Sequence, residues 1–321
     1  MVTMTSADSA LKEFYLGAVS EQLNTSVNPL LAKIRQSTAD VWGKEVRRLA
    51  QYGVNGGVGA GTEEGDLPAS GGNNYEQFVT TLKNLYGTIE ISDKAVRASE
   101  NSAGAFVDLL NAEMEGLVRA SAFNFGRMLF GDGSGVLCKV SAISGSTVTA
   151  DSVQNLIEGM TVDIRGADGT AIPTAAARRI LTLDRSTKQI TLSGAAITGV
   201  EEGDLICVQG SYNLELTGLG AIFKSTGTLY GLDRATHKWM IPYIKTSVGA
   251  ITETAIQTAI DRLEETAGSR VNFIVCSWGV KRALQKLFGE NKRNIDVTEL
   301  AGGYRTITYN GIPVVADRFC P

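Results

Sequence analysis

The chain has 321 residues, 43% of them hydrophobic and 20% charged, with a formal net charge of −4. Such a composition excludes a disordered tail, and the balance of charge lacks the basic excess by which free nucleic-acid binders hold phosphate. No apolar run reaches the ~18–20 residues that a membrane helix needs. The opening MVTMTSADSALKEF has neither the basic start nor the apolar stretch of a signal peptide, so folding in a cytoplasm is expected. Cys138, Cys207, Cys276 and Cys320 lie far apart with no CxxC pair, which predicts reduced, mostly buried thiols.

Residues 6–23 carry Leu11, Phe14, Tyr15, Val19 and Leu23 at helical spacing, and a second short helix is predicted to start at Asn28-Pro29. With no core of their own, residues 1–40 read as an arm. VWGKEVRRLAQYGV (41–54) reads as a strand, and YEQFVTTLKNLYGTIEIS (75–92) as its return. Between them runs the glycine-rich loop NGGVGAGTEEGDLPASGGNN, of a length usually functional or disordered. The segment 41–98 is thus a two-stranded finger, which is marginal alone. Lys44, Arg47 and Arg48 form a basic cluster on it, read as a solvated or subunit-facing strand edge.

Residues 103–130 form the clearest element. Ser102 is placed to cap a long helix. Phe106, Leu110, Met114, Leu117, Ser121, Phe125 and Met128 predict its apolar stripe, and Gly131 its stop. Arg119 and Arg127 sit late, as the helix dipole favours. From 136 to 210 the pattern changes to short β-like runs, VLCKVSAI, TVTA, MTVDIRG, RRILTLD, QITLSG and DLICVQG, separated by turns. These predict a small barrel or sandwich of five or six strands, inserted after the helix. Residues 211–247 are loop-rich. A helix follows over 252–268, with capping-box spacing at Thr254 and Gln257 and a stop at Gly268. VNFIVCS, the helix WGVKRALQKLFG, and two strands joined at Asn310-Gly311 complete an α/β sandwich over 248–321. The fold class is α+β.

Residues that carry chemistry are sparse. His237 is the one histidine, and no nucleophile signature accompanies it. Clustered Cys and His for zinc are absent. GGVGAG matches no phosphate loop, and FGDGSGV lacks the spaced acids of a calcium loop. Glu63-Glu64 and Glu201-Glu202 are adjacent acids in polar loops, not a pair across a cleft. No catalytic, cofactor-binding or metal-ligating residue is assigned, no cofactor is expected, and an enzyme is not.

The order of parts resembles the tailed-bacteriophage major capsid protein family, whose fold is shared with encapsulins. The likeness runs through TIEISDKAVRASEN (88–101), LFGDGSG (129–135), LTGLGAIF (216–223), TLYGLDRA (228–235) and YNGIPVVAD (309–317). It implies an N-terminal arm (1–40), an extended β-finger (41–98), a peripheral domain with a spine helix (99–135), a peripheral-to-axial connection (211–247) and an axial domain (248–321). The β-rich segment 136–210 falls outside the minimal family pattern and looks like an insertion. The resemblance implies pentamers and hexamers closing into an icosahedral virion shell around double-stranded DNA, which the inner face contacts weakly. Scaffold, portal and decoration proteins are the implied partners, with no membrane. Some members cross-link through a Lys and an Asn. Lys83 lies on the returning finger strand rather than at the tip, so no cross-link is assigned. The family strand matching GIPVVAD is followed by a further segment, whereas DRFCP ends the chain, so a longer subunit is expected. Two other readings stay open: an encapsulin-like compartment shell, and a β-rich surface adhesin resting on 136–210.

Overall fold

The computed structural model describes residues 29–34, 37, 41–90, 103–290, 297–300 and 304–321. The expected helix at 6–23, the cap Ser102 and most of the arm lie outside them. The chain is α+β, and its contacts divide it into two compact units, one of 1–34, 84–220 and 248–321, the other of 35–83 and 221–247.

In the first unit, Leu30 and Leu31 are buried, and the expected second arm helix is a single turn, with Lys33 N–H donating to the Leu30 carbonyl. Helix α1 spans Ala103–Phe130 and stops at Gly131, whose N–H bonds the Met128 carbonyl. The expected apolar stripe is rotated. Among the residues of α1 whose burial is described (113–130), Val118, Ala122, Phe123, Gly126, Arg127 and Met128 are buried, while Met114, Leu117, Ser121 and Phe125 are half-buried; Phe106 and Leu110 lie outside the described side chains. The cause is what the helix packs on. Phe319, near the chain's end, lies edge-on to Phe123 at 5.2 Å, and a side chain at Gly126 would start 2.5 Å from its ring.

Six strands, β4 (Val136–Ser144), β5 (Thr147–Ala150), β6 (Thr161–Arg165), β7 (Arg178–Asp184), β8 (Gln189–Leu192) and β9 (Leu205–Val208), close into a barrel in the order β4-β5-β8-β7-β6-β9. All six predicted runs are present. Alternation along β5, β6 and β8 turns Val148, Val162, Ile164, Ile190 and Leu192 inward, and β9 adds Ile206, each at most 1% exposed. Burying each such side chain contributes ~1.5–3 kcal/mol, and closure leaves no edge strand. The turn after β7 is held by the Asp184 carboxylate, which accepts the Ser186 N–H and hydroxyl and the Thr187 hydroxyl. Those bonds hold the carboxyl well below the usual carboxylate range. Such a barrel has its own core, so a fragment of residues 136–210 is expected to give a β-sheet circular-dichroism spectrum and a cooperative melt. A random-coil spectrum would refute its independence.

Past the one-turn helix α2 (Leu219–Ile222), the second core belongs to α3 (Glu253–Ala267), α4 (Trp278–Glu290) and the strands β12 (Ile274–Cys276), β13 (Val297–Leu300), β14 (Tyr304–Tyr309) and β15 (Ile312–Ala316), ordered β12-β15-β14-β13. Ile260, Leu284, Phe288, Ile307, Tyr309 and Val314 fill it. The Asn310-Gly311 hairpin forms as predicted, both residues with positive φ (49° and 78°), as a type I′ turn requires. The cap of α3 is Thr252 rather than Thr254, its hydroxyl accepting the Ala255 N–H, and Gly268 ends the helix at φ 60°.

The second unit is a ribbon. β1 (Val41–Trp42) turns through Gly43 into β2 (Glu45–Tyr52), which pairs along its whole length with β3 (Asn74–Thr81). The return strand therefore ends at Thr81, well short of 92. Residues 84–90 instead belong with the first unit, where Gly87 lies so close to Leu117 that a Cβ would sit 2.7 Å from its methyl. Of the expected connection 211–247, residues 221–247 fold with the ribbon and 211–220 with the first unit. A hairpin of β10 (Thr228–Leu229) and β11 (Leu232–Asp233) leads to a short 3-10 turn at Lys238–Met240.

Candidate functional site

The ribbon unit has almost no hydrocarbon core. Among its described residues only Leu229 and Arg234 are buried. Arg234, 1% exposed, donates to the carbonyls of Thr226 (3.1 Å), Ala221 (2.8 Å) and Ile222 (3.0 Å). A cation held by backbone oxygens thus stands where an apolar cluster would normally be.

One face of the β2–β3 ribbon is covered by an aromatic group. Tyr52 stacks on Trp239 at 5.0 Å and 7°, and Phe78 lies 6.0 Å from Trp239 and edge-on to Tyr230 at 5.9 Å. The Val79 N–H donates to the Tyr230 carbonyl. Side chains alternate across a strand, so Leu49, Gln51, Tyr75 and Gln77 point the other way. On that open face Leu49 is 66% and Tyr75 51% exposed.

Past Tyr52 and Asn74 the chain continues as two close-lying arms without regular pairing. Asn55 donates to Asn73 (3.2 Å), and Gly57 must be glycine because a Cβ there would lie 2.8 Å from the Gly71 nitrogen. Val58 and Leu67, on the two arms, are 88% and 91% exposed. The turn closes between Thr62 and Gly65. Glu63, Glu64 and Asp66 sit at the tip, while Lys44, Arg47 and Arg48 sit at the base, exposed, with Arg47 paired to Glu45 at 2.9 Å. Leu49, Val58, Leu67 and Tyr75 thus leave apolar side chains open along the finger.

A second cluster sits where the barrel joins α1. Arg127 and Glu215 form a two-pronged ion pair, Nη1–Oε2 2.8 Å and Nη2–Oε1 2.5 Å, with side chains only 4% and 3% exposed. Arg127 also reaches Asn124 at 3.3 Å. Gly135 must adopt φ 77° and lacks room for a side chain against the Ser211 carbonyl. The Asn213 N–H donates to the Ser134 carbonyl at 2.7 Å. This arrangement is a clasp that ties the root of the barrel to α1. It went unread in the sequence because the partners are 88 positions apart and no local pattern links them.

The residues weighed for chemistry are dispersed. His237 packs edge-on against Trp239 at 6.4 Å. The cysteines are free thiols. Cys138 and Cys207 lie within the barrel, where burial pushes them up to about 12 and about 11, and Cys276 and Cys320 lie beside β15. Glu63-Glu64 and Glu201-Glu202 stay exposed. Asp132 of FGDGSG accepts from Ser134, forming a turn. Among the described residues no group of three His, Cys, Asp or Glu is placed to hold a metal ion, and no helix is long and apolar enough to cross a membrane.

Comparison with family models, with curated proteins and with solved structures returns no match in any of the three.

Proposed function

We propose that this chain is a shell-forming subunit, the major capsid protein of a tailed bacteriophage, and not an enzyme. The observation that carries the reading is the ribbon unit. It projects an open β-face and a long loop, exposes Leu49, Val58, Leu67 and Tyr75, and buries one apolar side chain among its described residues. An element that cannot bury its own apolar surface gains its stability from neighbours, and a closed homo-oligomer supplies identical neighbours without limit of supply. The arrangement of long helix, inserted barrel and α/β layer is compatible with the finer capsid fold. In this reading the chains form pentamers and hexamers in the host cytoplasm with scaffold and portal proteins, and enclose double-stranded DNA in the virion. Decoration proteins bind the finished shell.

Expression of the full chain with its neighbouring late genes is expected to yield closed particles visible by electron microscopy. Replacing Leu49 and Tyr75 together by Ser is expected to leave the subunit folded and reduce particle yield at least about tenfold, the consequence of losing ~1.4 kcal/mol or more per contact. A chain that stays monomeric at high concentration beside its scaffold would overturn the proposal. Particles filled with a cargo enzyme instead of DNA would replace the phage reading with an encapsulin-like one.

A further inference from the structure

At the C-terminal segment 317–321 the α/β layer, helix α1 and the barrel meet. The Asp317 N–H donates to the Cys276 carbonyl at 3.0 Å, extending the β12–β15 register. Phe319 is 4% exposed and seated on Phe123 and Gly126 of α1. The carbonyls of Arg318 and Cys320 accept from the Gln154 amide of the barrel at 3.1 and 3.3 Å. At the centre lies the Asp317 side chain, 3% exposed. One carboxyl oxygen accepts the Phe319 N–H at 2.9 Å, while the other is buried with no partner.

A buried carboxylate oxygen without a donor is costly, and the cost falls when the group takes a proton. The charged and titratable groups around it do not offset that cost. Arg318 turns its guanidinium over the rings of Phe123 (5.1 Å) and Phe319 (5.8 Å). Cys276 and Cys320 are thiols that their own burial keeps neutral, and Lys281 of α4 acts on Cys276. Arg127, on the face of α1 that Phe319 covers, is engaged by Glu215. The barrel contributes the neutral Gln154.

We infer that Asp317 is a proton-operated latch, seating the C-terminal segment on α1 and the barrel while its carboxyl is protonated and releasing it when the carboxyl ionises. Burial raises the carboxyl's pKa above its ordinary value, outweighing the Phe319 bond that lowers it. The sign follows from linkage. A carboxyl whose pKa is higher when seated than when released stabilises the seated state fully below the released value, ~3.9, and that contribution is lost as pH rises through the seated value. Acid therefore closes the latch and rising pH opens it. This inference is independent of the shell reading, since all its contacts lie within one chain.

Cys320 reports the opening, because it follows Phe319 directly. The full chain and Asp317→Asn would be labelled with an aromatic disulfide that reacts at acid pH, from pH 4 to 8, and Cys320 followed by peptide mapping. The ratio of wild-type to variant labelling is expected to climb with pH, by up to about tenfold per unit, and then level off above the seated pKa. Electrostatics alone gives the opposite sign, since an ionised Asp317 disfavours the Cys320 thiolate and slows the wild type. A flat ratio, or a falling one, would overturn the latch. Should the variant fail to fold, carbon-13 titration of the Asp317 carboxyl in the wild-type chain decides instead. A midpoint above the ordinary carboxylate value supports the latch, and one at or below it rejects the idea.

Discussion

Replacing Arg127 by Ala is expected to destabilise the chain by about 3–5 kcal/mol, a large fraction of the ~5–15 kcal/mol that holds a typical domain. The reason is the Glu215 carboxylate, which is 3% exposed and would be left with neither its two guanidinium bonds nor water. Glu215→Ala should cost a similar amount through the stranded guanidinium. The double variant Arg127→Met, Glu215→Leu removes both charges and refills the volume with apolar groups, so it is expected to recover most of the loss. Urea midpoints at constant m-value measure all three. Strictly additive losses in the double variant would show that the two side chains do not act as a pair.

Adding a single methyl group at Gly218 is expected to cost about 1–3 kcal/mol or more, by overpacking. Its Cβ would fall 2.5 Å from the Leu129 carbonyl oxygen and 2.7 Å from that of Gly131, and closer still to that of Met128. These are backbone atoms at the end of α1 and cannot rotate away as a side chain can. The close approach has a purpose, since the neighbouring Gly220 N–H satisfies the Gly131 carbonyl at 3.1 Å, just past the helix end where carbonyls lack partners. Gly116, exposed on the same helix with nothing within 4 Å of a Cβ, is the contrasting site. There Gly→Ala should stabilise by roughly 1 kcal/mol through helix propensity alone. Thermal midpoints that move the same way for both variants would contradict this account.

What could be read from the sequence was local. The barrel strands declared themselves because alternation and turn residues such as Asp184 act within a few positions. Helix α1 and the Asn310-Gly311 hairpin were legible for the same reason. The rotated stripe of α1 was not, because a helix with apolar residues on more than one side takes its inward face from whatever packs on it, here Phe319, almost two hundred positions away. Thr252 carries no capping-box signature, since Ala255 stands where such a box has Glu or Gln, yet the Ala255 N–H is all the Thr252 hydroxyl needs. The shortness of β3 was hidden by β-forming residues beyond Thr81, and Gly87, which permits the close approach to Leu117, was the available signal. Of the candidate surface, the finger and its loop were visible. The cationic centre at Arg234 and the clasp at Arg127 depend on partners that only the folded chain brings near.

The clasp at the barrel's root also determines how the barrel carries mechanical load. Its first and last strands, β4 and β9, are antiparallel neighbours, and the chain enters and leaves between Ser134 and Asn213, joined by one short hydrogen bond. A pull on the barrel away from its root is shared by two strands running side by side, with the Arg127–Glu215 pair across the joint. A force that prises the two strands apart at the root would instead meet their hydrogen bonds one at a time. The barrel is therefore stiff to tugging and soft to splitting, and tension on it enters and leaves the rest of the chain at nearly one point.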